Sequence, residues 1–259
     1  MQTEAALPLH YTQHGAAGEW VLLLHGLFGS GDNLGALAKV LAAEFRVLTI
    51  DLRNHGRSPH SSIMNQAAMA ADIVALQDKL GIANAHLVGH SLGGKVAMQL
   101  ALNNAERVGR LVVADIAPVD YAPHHQDIFA GLQAIDLAGL RQRGDADAPL
   151  AQFVAELPVR QFLLKSLYRD EAGFHWRFNL PILLASYQEL LAAPSGTPFR
   201  GPTLFIKGEL SNYIVPEYET KTRELFPNFT FKMIAGTGHW LHGEKPLVFN
   251  KLVQQFLTS

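Results

Sequence analysis

"LVGHSLGGKVAM", residues 87–98, decides the fold. It fits two short patterns with different chemistries. Counted from Gly89, the spacing Gly89-x-x-x-x-Gly94-Lys95 approaches a loop that cradles phosphate. Counted around Ser91, Gly89-His90-Ser91-Leu92-Gly93 fits a sharp strand-to-helix bend that exposes a serine hydroxyl. The phosphate loop needs Ser or Thr directly after the lysine to hold Mg²⁺, and that position is Val96. The bend needs an apolar strand, a turn and a helix, and all three are present. "HLV" runs into Gly89, and "LGGKVAMQLAL" continues with a helical pattern. A serine at such a bend occupies a strained backbone conformation, so the residues two positions either side must carry almost no side chain. The helix that follows aims its free N-terminal amides at negative charge developing on a substrate.

Outward from this bend, short apolar runs alternate with helical patterns. "WVLLLHG" (20–26), "RVLTIDLR" (46–53), "AHLVG" (85–89) and "RLVVAD" (110–115) read as strands. Between them lie helices over 34–45, capped by Asp32 or Asn33, and over 65–81, capped by Asn65 and ended by Gly81. Strands that are apolar nearly throughout and separated by helices predict a mostly parallel sheet covered on both faces. The rhythm stops after Asp115. Residues 118–198 show helical patterns and prolines without a convincing strand. The rhythm returns with "GPTLFIKG" (201–208) and "FTFKMIAG" (229–236). The expected organisation is a sheet-building core from 1–117 and 199–259, with 118–198 inserted as a helical cap.

The bulk numbers set limits. A hydrophobic share of 48% with 17% charged residues belongs to a globular chain with a sizeable core. A formal charge of −2 gives no reason to expect nucleic acid or an anionic membrane as partner. No cysteine occurs, which excludes disulfides, thiol catalysis and cysteine-held metals. "MQTEAALPLHYTQ" lacks the basic start and apolar core of a signal peptide, and no stretch nears the roughly 18 apolar residues of a membrane span. The expectation is a cytoplasmic protein, a monomer or homodimer, without cofactor or metal.

A serine hydroxyl needs a base within hydrogen-bond reach. On a scaffold with this bend the chain order is serine, acid, histidine. The late histidine is His239 in "GTGHWLHGEKP", delivered by the small residues Gly236, Thr237 and Gly238; His242 is the alternative. Their His-x-x-His spacing lacks the intervening Glu of a zinc helix. The oxyanion requires backbone donors. One is the amide of Leu92, and the second comes from "HGLFGS" (25–30), with Leu27 the first choice and Phe28 the fallback.

With these parts assembled, the chain resembles the α/β-hydrolase superfamily over nearly its whole length, through "HGLFGS", "DLRNHGRS", "VGHSLGG", "VVADIAPVDY" and "GTGHWLHGEKP". "RNHGRSPH" together with "DIAPVDY" resembles the bacterial YbfF-type esterases. That resemblance implies hydrolysis of carboxylic esters, with acyl-CoA thioesters as a further substrate class and no cofactor. The acid departs from the common pattern. Many members carry Gly-x-x-Asp after the penultimate strand, whereas here the stretch is Gly208-Glu209-Leu210-Ser211. A hydroxyl cannot balance an imidazolium, so another carboxylate must serve. Asp115 ends the preceding strand on the edge where such sites assemble, as in the resembled subgroup; Glu209 and Asp120 are the alternatives.

Asp51 and Arg53 in the "DLRNHGRS" loop read as locks between loops rather than as chemistry. Three further residues are candidates for substrate contact: His90 beside the serine, Phe28 after the first core strand, and Trp176 in the cap stretch "FHWRFNLP". Most of the cap's aromatics should fill its own core. The leading expectation is a serine carboxylesterase acting on a small-molecule ester or thioester. A C–C bond hydrolase or lyase on the same scaffold and a non-catalytic binding protein compete with it.

Overall fold

The apolar runs become strands of one sheet. The computed structural model describes residues 5–259, so the first four residues of the stretch read for a signal peptide lie outside it. Along the chain come β1 (Tyr11–His14), β2 (Trp20–Leu24), α1 (Gly35–Leu41), β3 (Arg46–Ile50), α2 (Gln66–Leu80), β4 (Ala85–His90), α3 (Leu92–Asn103) and β5 (Val108–Ala114). After a long excursion containing β6 (Leu167–Asp170) and β7 (Gly173–Trp176) follow β8 (Thr203–Gly208), β9 (Phe229–Ile234) and a C-terminal helix, Pro246–Leu257.

Seven strands pair in the order β1-β3-β2-β4-β5-β8-β9, all parallel except for β1, which runs antiparallel to β3 at the edge. Alternate residues of each strand enter opposite cores. Leu22, Leu24, Leu48, Leu87, Leu111 and Phe205 face one side, with the buried residues of α2 and α3. Val21, Leu23, Val47, Val88, Val112 and Ile206 face the other, with α1 and the C-terminal helix. Asn65 caps α2 as expected, its side chain accepting from the Ala68 amide at 2.9 Å, and Gly81 ends it at φ 66°. The helix expected over 34–45 is shorter. A 3-10 turn, Gly31–Leu34, precedes it, with Asn33 Oδ1 accepting from the Ser30 amide, and the helix stops at Leu41.

Chain order reverses around β2: β3 lies on one side and β4 on the other. Such a switch leaves a crevice beyond the carboxyl ends of the two strands, where ligands bind in open α/β sheets. Leu27 follows β2 and Ser91 follows β4, so both sit at this crevice.

The excursion corrects one expectation. Residues 118–198 add no strand to the seven-stranded sheet, but they are not all helical: β6 and β7 form an antiparallel hairpin, Leu167 opposite Trp176. Each strand has four residues with only one buried, Leu167 or Phe174, so no apolar run marks them. The segment joins the core through a bridge between His55 and Phe178 and a bond from the Asn179 amide to the Asn54 carbonyl at 2.9 Å. Among the described residues no helix is long and apolar enough to cross a membrane.

Candidate active site

Ser91 has φ 51° and ψ −116° between β4 and α3, a conformation that a residue with a side chain rarely adopts. The close crossing of strand and helix explains its glycines. A Cβ on Gly89 would lie 2.2 Å from the Gly93 carbonyl oxygen, and one on Gly93 would lie 2.2 Å from that of Leu24. The amide of Ser91 donates to Ala114 at 3.0 Å, tying the bend to the end of β5.

The three residues expected to work together converge from three strand ends. His239 Nε2 is 3.0 Å from Ser91 Oγ, and His239 Nδ1 is 2.8 Å from Asp115 Oδ2. Because a carboxylate only accepts, Nδ1 carries the proton and Nε2 offers its lone pair to the serine. Asp115, also at positive φ (52°), is fully buried. Its Oδ1 accepts from the Gly208 amide at 2.9 Å, and its Oδ2 accepts a short bond from Ser211 Oγ. Burial pushes its carboxyl up to about 6, a rise that the Ser211 and Gly208 donors oppose. Burial pushes the His239 imidazole down, with His242 and His124 adding to the effect, so the ring is neutral at rest. Ser211, at the Gly-x-x-Asp position expected to hold a carboxylate, hydrogen-bonds to Asp115 instead.

The alternatives have other work. Glu209 accepts from the Gly236 amide at 2.6 Å, and Asp120 accepts from the Ala193 amide at 2.8 Å. His242 packs 4.4 Å from the His90 ring, centroid to centroid, with its Nδ1 buried and unpartnered. Phe28, the fallback oxyanion donor, spends its amide on His55 Nε2 at 3.3 Å. Leu27 and Leu92 line the same cavity as Ser91.

Two buried histidines stiffen this loop. His25 donates from Nδ1 to the Gly26 carbonyl (2.8 Å) and accepts from the Leu52 amide (3.0 Å). His55 donates to the Arg53 carbonyl (3.0 Å) and accepts from Phe28. Burial lowers them to about 4 and about 3 respectively, which keeps both as neutral tautomers. Asp51 and Arg53 tie loops together as charge-assisted partners. Asp51 accepts from the amides of Gly31 (2.7 Å) and Arg57 (2.9 Å), and Arg53 pairs with buried Asp72 at 2.7 Å.

None of the three residues expected to touch substrate lines the cavity beside Ser91. His90 is buried, with Nε2 donating to the His239 carbonyl at 2.8 Å, so it anchors the loop that carries His239. Phe28 is packed among Phe129, Phe178 and His125. Trp176 stacks on Phe178 at 5.2 Å. Instead, Ile116, Tyr187, Leu190, Leu191 and Tyr213 surround Ser91, with His124 and His125. These belong to loops and to the inserted segment, and no fixed spacing to Ser91 marks them in the sequence. The only local signal was Gly208-x-x-Ser211, which points at the loop bearing Tyr213. A second, wider groove opens on the far side of His239, bordered by Phe162, Lys165, Arg177, Trp240 and Glu244.

Lys95, the lysine of the discarded phosphate-loop pattern, is buried. Its Nζ donates to the carbonyls of Val119 (2.9 Å), Leu191 (2.6 Å) and Ala192 (2.5 Å). It thus holds both ends of the inserted segment to α3.

This arrangement agrees with similarity to known proteins. A family profile describing the alpha/beta hydrolase fold matches residues 19–246. The chain is 40% identical to Esterase YbfF of Escherichia coli (strain K12) over 240 residues, covering 92% of this chain and 93% of that protein. It is also 40% identical to the sn-1-specific diacylglycerol lipase ABHD11 of Mus musculus over 247 residues, 92% of this chain and 80% of that one. A solved structure described as a marine microorganism esterase superposes with a TM-score of 0.94 at 35% identity, covering 97% of this chain and 100% of that one. The chain is a hydrolase of the α/β-hydrolase fold family, among the relatives of the YbfF esterase.

Proposed function

We propose that this hydrolase is a serine carboxylesterase that works through an acyl-enzyme on Ser91. The observation that carries the reading is the unbroken series Ser91 Oγ, His239 Nε2, His239 Nδ1, Asp115 Oδ2, with contacts of 3.0 and 2.8 Å. In this mechanism His239 accepts the Ser91 proton as Oγ attacks the ester carbonyl. Asp115 holds the ring in the right tautomer and balances the imidazolium. The amides of Leu27 and Leu92 receive the oxyanion, a term worth on the order of 10²–10³ in rate per donor. His239 then protonates the leaving alcohol, and water releases the acid by the same steps in reverse order. Thioesters undergo the same attack and belong to the proposed substrate range. The names of the relatives, an esterase and a lipase, support ester hydrolysis. Residues 118–198 act in this reading as a cap that walls the acyl cavity with Tyr187, Leu190 and Leu191.

Ser91→Ala tests the reading. Hydrolysis of simple acyl esters should fall by at least about 10⁴-fold, and a fluorophosphonate should label the wild-type chain at Ser91 and leave the variant unlabelled. Full turnover by the variant would end the proposal.

A further inference from the structure

Tyr213 lies two residues past Ser211, and its ring covers the imidazole of His239, with centroids 3.8 Å apart and planes inclined by 18°. The ring is pinned through several bonds. Its amide donates to Ser211 Oγ at 3.2 Å, and its carbonyl accepts from the Tyr121 hydroxyl at 2.5 Å. Its own hydroxyl sits between two histidines, 2.5 Å from His124 Nε2 and 3.2 Å from His125 Nε2.

The direction of each bond in this chain can be deduced. The Tyr187 hydroxyl accepts from the amides of His124 (3.3 Å) and His125 (3.2 Å), so its proton goes to His125 Nδ1 at 2.7 Å. A neutral His125 then carries its proton on Nε2 and donates to the Tyr213 oxygen. Burial lowers His125 to about 3, which keeps it neutral. Tyr213 in turn donates to His124 Nε2, and His124 Nδ1 donates to the Ala122 carbonyl at 2.8 Å. Every donor in the series finds an acceptor, which fixes the orientation of the phenol and hence of its ring.

Two neutral aromatic rings gain most from offset or edge-to-face contact. A face-on arrangement becomes favourable when one ring carries positive charge, because the other's π face is negative. His239 becomes positive when it holds the Ser91 proton. At that moment its side chain is only 12% exposed, with the carboxylate of Asp115 at one edge and the neutral ring of His90 4.8 Å away.

We propose that Tyr213 is a positioning residue for the base, and that its π face stabilises the His239 imidazolium formed as Ser91 attacks. The inference rests on the acyl-enzyme reading above. It is tested by replacing Tyr213 with phenylalanine and then with 4-fluoro-, 3,5-difluoro- and 3,4,5-trifluorophenylalanine, whose faces are progressively less negative. Tyr213→Phe keeps the π face but loses the hydroxyl's bonds to His124 and His125, and serves as the reference against which the fluorinated series is read. Across the fluorinated series kcat should fall in steps, by on the order of tenfold in total, with KM unchanged. The acid limb of the pH profile should move to lower pH, because a less stabilised imidazolium gives up its proton more readily. A kcat that stays flat across the series, or a loss already complete in Tyr213→Phe, would overturn the proposal. Fluorophosphonate labelling of the wild type in the same assay keeps the two ideas apart, since absence of label at Ser91 would indict the acyl-enzyme and not the ring.

Discussion

Asp115, the acid of the proposed mechanism, sets stability against chemistry in a single residue. It is fully buried and adopts a left-handed backbone conformation, which costs of order 1–3 kcal/mol for a residue other than glycine. Its folded pKa is raised from 3.8 to about 6, so a protonated Asp115 is the comfortable form and ionising it works against folding. For a carboxyl shifted upward, the stability present at low pH is lost as pH rises from about 4 through 6. Asp115→Asn removes the charge, keeps the shape, and substitutes a side chain that tolerates positive φ. The variant should melt at a higher temperature than wild type at pH 8, with the gain shrinking towards pH 4. Ester turnover at pH 8 should drop by roughly 10³–10⁴-fold, since the imidazole loses its correct tautomer and its counter-charge. Thermal melts at the two pH values, beside a turnover assay, check both halves; a lower melting temperature at pH 8 would show that the ionised carboxylate stabilises the fold. Asp115 was legible because it ends an apolar strand and stands beside a recognisable "IAPVDY". Tyr213, His124 and His125 were not, because they reach the site by side-chain bonds between loops far apart in the chain, which no local spacing encodes.

At the level of elements, the inserted segment is attached at both of its ends to one residue of α3. The Lys95 ammonium has three protons and three carbonyl partners, from Val119 on entry and from Leu191 and Ala192 on exit. Lys95→Met would remove a shared donor from a buried seam: the Leu191 and Ala192 carbonyls keep the Tyr121 amide and the Gln66 side chain, while the Val119 carbonyl loses its bond at a cost of about 1–3 kcal/mol. The expected outcome is a variant that still folds its sheet but exposes residues 118–198 to limited proteolysis far faster than wild type. Its KM for ester should rise, because Tyr187, Leu190 and Leu191 line the cavity. Equal cleavage rates would show that the bridge is dispensable. Lys95 was first visible in the sequence as part of a misleading phosphate-loop pattern, and only the fold reveals its partners, some of them nearly a hundred residues away. The same contrast holds for strands. β2 through β5 and β8 were legible because each buries a run of apolar side chains, whereas β9 was legible from its alternation of apolar and polar residues although only Ile234 is buried. The edge strand β1 and the β6–β7 hairpin are short and half-exposed, so their pairing is set by neighbours that periodicity does not show.

For the whole molecule, what matters is that Ser91 and His239 look onto spaces of very different size. The cavity on the serine side encloses only about 30 Å³ and is walled by Leu27, Leu92, Ile116, Leu190 and Leu191. Its histidine and tyrosine polar atoms are largely committed to one another. The groove on the far side of His239 encloses about 860 Å³ and carries Lys165, Arg177, Glu156 and Glu244 on its walls. Ligand pockets commonly enclose roughly 300–1,000 Å³, so the first lies far below that range and the second within its upper part. In the proposed mechanism the oxyanion amides place the acyl carbon at the small cavity, while the leaving group must depart past His239, which protonates it. The geometry therefore predicts tight selection on the acyl side and tolerance on the alcohol side. With one alcohol held constant, kcat/KM should peak at short acyl chains and fall steeply as the chain outgrows the cavity, at about 0.8 kcal/mol of burial forgone per methylene left outside. With one short acyl group held constant, enlarging the alcohol should change kcat/KM by no more than about tenfold, the scale of a single poorly placed contact. A panel of esters varied first in one half and then in the other measures both slopes. A rate that climbs steadily to long acyl chains would mean that the acyl group lies in the wide groove and that the two halves of the substrate sit the other way round.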